Sequence, residues 1–169
     1  MALTNFHEDI TDDVQKHAPY GYTTKTNWDN ARVRYAEVTL SSGQILAMHT
    51  TPVEVIPATG ANTMIRVLSI TASITFNSIQ YAGGSSVSLV YSGGSVSAIT
   101  ALSNSLIASA VDSVQSTSII DLGVLSKSSY DNLGVDIKTG LAFSAGDSEV
   151  KILSSYIVMD ISQYDKTIH

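Results

Sequence analysis

The stretch LSITASITF, residues Leu68–Phe76, decides the fold. Its apolar residues stand at every second position, which is the side-chain period of a β-strand with one buried face. The residues between them have small hydroxyl side chains, whereas a strand with one solvent-exposed face usually carries Lys and Glu at these positions. Those hydroxyls are Ser69, Thr71, Ser73 and Thr75. The pattern predicts a strand whose second face packs closely against another surface.

The same composition extends over most of the chain. The 169 residues fit one domain with a substantial core. Serine and threonine together supply 41 of them, and only three are Pro, so ordered strands are favoured over a disordered Ser-rich linker. The absence of Cys excludes disulfides, thiolate nucleophiles and Cys-bound zinc.

Charge and hydropathy exclude several partners. A net charge of −6 and a pI near 4.9 argue against nucleic acid, since binding to phosphates requires clustered Lys and Arg. No apolar run approaches the roughly 20 residues that cross a bilayer, so no membrane partner is expected. We also find no secretory signal, which predicts a protein made in the cytoplasm that reaches its place by itself, by lysis or within a larger particle.

Strand patterns recur to the end of the chain, separated by turns of Gly, Pro and Asp. We expect one short helical turn at Ser41–Met48 and a core face formed by Val135, Ile137, Leu141 and Phe143. The predicted strands are Val33–Leu40, Val53–Ile56, Thr63–Phe76, Ser85–Tyr91, Ser113–Leu122, Val135–Phe143 and Glu149–Ile161. Gly83–Gly84 and Gly93–Gly94 are predicted turns. The predicted fold class is all-β, an antiparallel β-sandwich of jelly-roll-like form.

The N-terminal segment differs from the rest. Residues 1–37 hold ten charged residues and no sustained period of either kind. We interpret residues 1–32 as an extended arm, residues 33–161 as the β-sandwich body and residues 162–169 as a polar C-terminal tail. Four aromatic residues fall in or beside the arm: Tyr20, Tyr22, Trp28 and Tyr35. Tyr and Trp are frequent binding hot spots, so these four are the candidate partner-binding residues, unless they pin the arm to its own body.

Catalytic and metal motifs are not found. His49 is the only body histidine available to a Ser–His–Asp arrangement, and no Gly-x-Ser-x-Gly elbow is present. The acidic residues and histidines of residues 7–17 match no established metal-ligand spacing. We therefore expect no enzyme activity, no catalytic residue, no metal and no cofactor. A calcium site near Asp131 or Asp147 is an open alternative to ordinary turn aspartates.

One set of motifs resembles small β-rich virion proteins of tailed bacteriophages, of the head-decoration, fibre or adaptor kind. The resemblance lies in Val53–Ala58 with Gly60–Ala61, in Tyr81–Gly84 leading to Leu89 and Tyr91, and in Ser144, Gly146 and Asp147 before a last strand with Tyr156. It covers about residues 38–161. It implies a jelly-roll-like subunit located in the virion, with no enzymatic residues.

The resemblance also implies the partners. It implies a homo-oligomer, with a trimer favoured. The charged, aromatic arm has no counterpart in that group, and we expect from its own residues that it contacts other virion proteins. The alternative is a carbohydrate- or receptor-binding module at a virion surface, which requires exposed aromatic residues on the body. Tyr81, Tyr91 and Tyr130 are the candidates for that role, although core packing suits each of them better.

Overall fold

The computed structural model describes residues 32–93, 99–118 and 130–162. These residues are mostly β, and every strand pairing among them is antiparallel. Their elements, in chain order, are β1 (Arg34–Leu40), α1 (Ser42–Ala47), β2 (Val53–Ile56), β3 (Thr63–Thr75), β4 (Ala82–Gly83), β5 (Val87–Tyr91), β6 (Thr100–Leu102), α2 (Asn104–Ile107), β7 (Ser113–Ser118), β8 (Val135–Thr139), β9 (Phe143–Ser144) and β10 (Glu149–Asp160). The prediction of an all-β chain with antiparallel sheets is confirmed.

Two four-stranded sheets contain the longer strands. The first sheet has the order β1-β10-β3-β7, the second has the order β2-β8-β5-β6, and β4 pairs with β9 separately. When the two-residue strands β4 and β9 are set aside, the strands pair in a nested way. The first pairs with the last, the second with the seventh, the third with the sixth and the fourth with the fifth.

Both sheets contribute to one buried apolar cluster. The first sheet supplies its residues from β1, β3 and β10, and the second supplies its residues from β2, β5, β6 and β8. The largest contributions from the sheets are Leu40, Ile56, Ile65, Ile70, Ile74, Leu89, Leu102, Ile137 and Ile152, all essentially inaccessible to solvent. Burial of such side chains stabilises a fold by about 1.5–3 kcal/mol each, so this cluster holds the two sheets together.

A β-bulge in β3 changes the predicted core face. Ser155 of β10 pairs with Ser69 and Tyr156 pairs with Val67, so Leu68 has no partner across the ladder. An extra residue shifts the alternation by one position, so Ile65 and Val67 face the core before the bulge and Ile70, Ala72 and Ile74 face it afterwards. Leu68 remains 37% exposed. The predicted face is therefore correct from Ile70 to Ile74 and wrong at Leu68.

The predicted strand Val135–Phe143 is interrupted at residues 140–142, and its predicted face is buried at Val135, Ile137 and Phe143 but not at Leu141. β8 ends at Thr139, whose side chain takes the buried position, and Leu141 is 62% exposed. The cause is the Ser85 hydroxyl oxygen, which accepts hydrogen bonds from the N–H groups of Gly140 and Leu141 at 3.0 and 3.2 Å. These bonds draw the chain out of the ladder before Leu141 can face the core.

The remaining predicted strands agree closely with the structure within the described residues, and the structure adds the short strands β4, β6 and β9. The helical turn at Ser41–Met48 forms as α1 and begins with a capping box between Ser41 and Gln44. Gly83 differs from the prediction because it lies in β4, with a positive φ like that of Gly84. Residues 1–31, 94–98, 119–129 and 163–169 lie outside the described residues. The arm, the tail, the end of the Ser113–Leu122 strand and their boundaries therefore stay predictions.

The register places four loops at one end of the body. Leu40 pairs with Val150, Thr75 with Glu149 and Ile74 with Ser113, so β1 and β3 end where β10 and β7 begin. The loops that cross between the sheets at this end are residues 41–52, 76–86, 103–112 and 140–148, which we call the cap. The opposite end, which we call the base, holds the start of β1 and the end of β10.

Candidate interaction surface

The outward-facing side chains of the first sheet form the surface that the sequence pattern singled out. They alternate with the core residues along β1, β3, β7 and β10, so they stand on the side of the sheet away from the second sheet. We call the part of this surface between the bulge and the cap the outer face, and its residues are Tyr35, Glu37, Thr39, Ser69, Thr71, Ser73, Thr75, Val114, Ser116, Glu149, Lys151, Leu153 and Ser155.

Hydroxyls on the outer face bind each other across neighbouring strands. The Ser69 and Ser155 oxygens are 2.7 Å apart between β3 and β10, and the Thr71 and Ser116 oxygens are 2.7 Å apart between β3 and β7. A hydroxyl that already has a protein partner costs less to remove from water than one that loses its only hydrogen bond. The outer face can therefore be covered by another protein at a low desolvation cost.

Exposed apolar side chains are interspersed among these hydroxyls. Tyr35 is 72% exposed and Val114 is 69% exposed, and Leu153 is also open to solvent. Glu37 and Lys151 form an ion pair at 2.8 Å, with both side chains about half exposed. An exposed pair of this kind stabilises by about 0–1 kcal/mol, so its main effect is to neutralise charge on the face. The arrangement suits contact with a protein surface.

Tyr35 is the one predicted partner-binding residue that the structure describes. It stands on β1 beside Ser155 of β10, and its ring lies open on the outer face. Tyr20, Tyr22 and Trp28 lie outside the described residues, and their role in partner binding stays a prediction.

The aromatic residues proposed for carbohydrate binding pack inside the body. Tyr81 and Tyr91 are buried, and Tyr130 is partly buried with its ring centre 5.1 Å from that of Tyr91 in an edge-on arrangement. Burial raises the pKa of both buried hydroxyls to about 12. The Tyr81 hydroxyl donates to the Ser148 carbonyl oxygen at 2.7 Å, and the Tyr91 hydroxyl donates to the Ile65 carbonyl oxygen at 2.6 Å. These residues stabilise the core, as the sequence favoured.

Asp147 organises the cap loop that begins at Phe76. Its carboxylate accepts hydrogen bonds from the Ser78 hydroxyl at 2.6 Å, from the Ile79 N–H at 2.8 Å and from the Asn77 side-chain amide at 2.9 Å. These bonds lower the pKa of Asp147, with the Ser78 hydroxyl contributing most and the Ile79 N–H next. The geometry is that of a turn aspartate.

Asp131, the other calcium candidate, binds a backbone amide as well. Its carboxylate accepts from the Asn62 N–H at 2.6 Å and so joins two loops at the base. Within residues 32–93, 99–118 and 130–162, no three His, Asp or Glu side chains are grouped closely enough to hold a metal ion.

His49 lies in the cap, after α1. Its side chain is exposed, and no hydrogen bond or ion pair joins it to another residue of the described ranges. The structure therefore brings no Ser and Asp together with His49 in a triad among these residues.

Sequence reasoning missed a set of exposed aliphatic residues in the cap. They are Leu46, Ile79, Val111 and Leu141, one in each of the four loops. The sequence carries little signal for them, because Leu46 adjoins the buried Ile45 and Leu141 continues the alternation of Val135 and Ile137. Such a residue is hard to distinguish from a core residue until the loop conformation is known.

Comparisons of the chain with protein-family models, with curated proteins and with solved structures found no match. Neither helix of the described ranges has the length and apolar character that a bilayer-spanning helix requires.

Proposed function

We propose that this chain is a non-enzymatic structural protein of a phage virion, of the capsid-decoration, head-fibre or tail- or portal-associated kind. Its β body, a jelly-roll sandwich, forms a homo-oligomer, and its N-terminal arm attaches the oligomer to other virion proteins. The observation that carries the proposal is the nested order of the strands in the two sheets.

Nested pairing is what a jelly roll requires. If one long antiparallel hairpin of eight strands is rolled up, strand one stays beside strand eight, two beside seven, three beside six and four beside five. The described sheets have these four pairs, with β10–β3 and β8–β5 completing the sheets. Jelly rolls are a common architecture of viral capsid proteins. Since fold alone does not fix function, the surfaces must also fit the proposal.

The outer face fits an assembly role. Its paired hydroxyls, exposed Tyr35 and Val114, and neutral Glu37–Lys151 pair form a surface that a companion protein or a neighbouring subunit can cover cheaply. The cores of protein interfaces are depleted of charged residues and enriched in Tyr. Serine and threonine on a strand face cost less to desolvate than Lys and Glu would.

The position at which β1 begins also fits attachment through the arm. β1 begins at the base, so residues 32 and 33, which precede it, lie at the end opposite the cap. An arm that attaches there leaves the cap pointing away from the attachment site.

Jelly rolls also occur in lectins, so carbohydrate binding is the second candidate. It needs an exposed aromatic surface, and Tyr81 and Tyr91 are buried. A glycan array with the full chain is expected to show no binding. Specific binding that is lost on Tyr35→Ala would favour the lectin role over the assembly role.

The test of attachment uses point variants in the full chain. The tagged protein is expressed while phage particles assemble, and the particles are separated on a density gradient. Trp28→Ala combined with Tyr22→Ala is expected to remove the chain from the particle fraction, whereas the control Tyr164→Ala, in the tail, keeps it there. Equal incorporation of all three proteins would contradict the proposed role of the arm.

A further inference from the structure

The outward side of the first sheet changes its chemistry at the β-bulge. Between the bulge and the cap it carries the hydroxyls of the outer face, whereas from the bulge to the base most of its side chains are apolar. We call this second part the basal face, and its residues are Val33, Met64, Arg66, Leu68, Ile157 and Met159.

Strand register places the side chains of the basal face next to one another. Ile157 of β10 pairs with Arg66 of β3, and Met159 pairs with Met64 two residues further along. Residues opposed in this way have Cβ atoms about 4.5–5.5 Å apart. The four residues alternate with buried positions such as Val158, so they point away from the second sheet. They form one patch outside the core.

The basal face is open at the side of β1. Beyond Tyr156, β10 pairs only with β3 among the described residues, because β1 begins at Arg34 opposite Tyr156. Val33, directly before β1, is 49% exposed, and Leu68 at the bulge is 37% exposed. Neighbouring exposed apolar side chains, unlike single ones, mark a surface that another group covers.

The chain itself carries a large apolar side chain close to this face. Trp28 precedes Val33 by five residues, and five residues of extended chain span at most about 17 Å. The basal face extends over three strand positions, about 10 Å, and along four residues of β3, about 13 Å. Trp28 can therefore reach the basal face of its own chain, whereas the cap, at the other end of the strands, is beyond its reach.

The chemistry of the segment around Trp28 matches the basal face. An indole ring buries a large rigid surface at a low cost in conformational entropy. Arg66 is exposed among the apolar side chains and forms no ion pair within the described residues, and Asp29, which directly follows Trp28, supplies the opposite charge. Asp29 and Asn30 are also residues that favour turns, which a chain needs to fold back over the sheet before β1.

We propose that Trp28 packs on the basal face of its own chain, with Asp29 beside Arg66. Because the contact is intramolecular, the short tether gives a high effective concentration, and a modest contact area is enough to hold it. The inference goes beyond the proposed function and rests on it only in treating residues 1–32 as an arm. The contact fixes the point from which residues 1–27 leave the body, so that the arm of every copy starts in the same place at the base.

The chain offers a direct reporter and two matched pairs of variants. Trp28 is the only Trp of the sequence, so tryptophan fluorescence reports its environment alone. Leu68→Asp and Leu153→Asp replace the same residue type at similar exposures, 37% and 42%, on the basal face and the outer face. Arg66→Glu and Lys138→Glu make the same change in charge, and Lys138 is exposed on β8 of the second sheet.

The measurement is the emission maximum of Trp28 and its quenching by acrylamide, in the full chain and the four variants, after circular dichroism has shown that each is folded. We expect the unmodified chain to emit at a shorter wavelength than the urea-unfolded chain, equally at every protein concentration. Leu68→Asp and Arg66→Glu are expected to remove most of that shift and to increase quenching. Leu153→Asp and Lys138→Glu are expected to leave both unchanged.

Three results would overturn the inference. If Leu153→Asp removes the shift and Leu68→Asp does not, Trp28 covers the outer face instead. If the shift develops only as the concentration rises, the basal face is covered by a second copy. If Trp28 of the folded, unmodified chain emits as in urea, it is not packed at all.

These failures are separate from failure of the proposed function. A solvent-exposed Trp28 in the isolated chain leaves the proposed attachment to virion proteins standing. Equal incorporation of the Trp28→Ala, Tyr22→Ala protein into particles contradicts the attachment role of the arm, whatever the fluorescence of the isolated chain shows.

Discussion

Gly146 lies directly against the face of the Tyr81 ring, so that a Cβ atom at position 146 would overlap the ring carbons. Gly146 also has a φ of +98°, a conformation that L side chains rarely adopt. Gly84 has the same relationship with Phe143, at a φ of +71°. Two glycines thus allow the two rings of the cap to approach the backbone closely and fix the loops above them.

Gly146→Ala is expected to destabilise the protein by about 3 kcal/mol, because it adds both a steric overlap and backbone strain. In thermal unfolding this corresponds to a fall in Tm of about 6–12 °C for a domain of this size. The control is Gly43→Ala in α1, where a Cβ meets no atom within 4 Å and φ is not positive. That variant is expected to be unchanged or slightly more stable, and an equal loss in both would contradict the account of the cap.

Ser154→Ala is expected to stabilise the protein by about 1 kcal/mol. Ser154 is fully buried on the core face of β10, and its hydroxyl has no hydrogen-bond partner among the described residues. A buried polar group without a partner is costly, and alanine removes that cost with little change in volume. Urea unfolding measures the change.

The buried Ser148 is the control for that substitution. Its hydroxyl oxygen accepts a hydrogen bond from the Asn77 N–H at 3.1 Å, so Ser148→Ala leaves a donor unpaired and is expected to cost about 1–3 kcal/mol. Stabilisation by both substitutions, or by neither, would show that the hydroxyl partners do not decide the outcome.

Asp147 makes the stability of the protein fall as the pH falls into the acid range. Its pKa is lower in the folded protein than in the unfolded chain, so the folded state binds fewer protons. Its contribution is present above the unfolded pKa of about 4 and is lost as the pH falls through the folded value. In urea unfolding at several pH values, Asp147→Asn is expected to be less stable at pH 7 and to lose less stability on acidification. An unchanged acid slope would contradict this role.

Tyr91 makes the stability of the protein fall as the pH rises into the alkaline range. Its pKa is raised to about 12 by burial, so its contribution is complete below the unfolded pKa of about 10 and is lost between pH 10 and 12. Absorbance at the tyrosinate band is expected to show its ionisation together with unfolding. Tyr91→Phe removes the Tyr91 part of this step and leaves that of Tyr81, whose pKa is also raised to about 12. It also removes the bond to the Ile65 carbonyl, at a cost of about 1 kcal/mol at neutral pH. If Tyr91→Phe lowers the tyrosinate absorbance that develops near pH 10 before unfolding, Tyr91 is not buried as described.

The alternation of residues located β3 and β10 well, because a period of two depends only on neighbours in the chain. The bulge at Leu68 could not be found in this way, since it is defined by the pairing of Ser155 and Tyr156, which are distant in sequence. The same alternation wrongly predicts a core position for Leu141. Its exposure depends on the Ser85 hydroxyl in another loop.

The outer face and the cap differ in the same way in how far the sequence predicts them. The β3 hydroxyls of the outer face can be predicted from Leu68–Phe76 alone, but their pairs, Ser69 with Ser155 and Thr71 with Ser116, depend on strand register. The cap could not be predicted at all. Its four loops come from four separate parts of the chain, and only the nested pairing of the strands brings them to one end.

The solution mass of the full chain, measured by light scattering, tests the central claim most directly. The chain has a mass of 17.9 kDa, and the account predicts a single closed oligomer, with three copies favoured. A mass of one chain, unchanged as the concentration rises, would contradict the claim that this body is built to assemble.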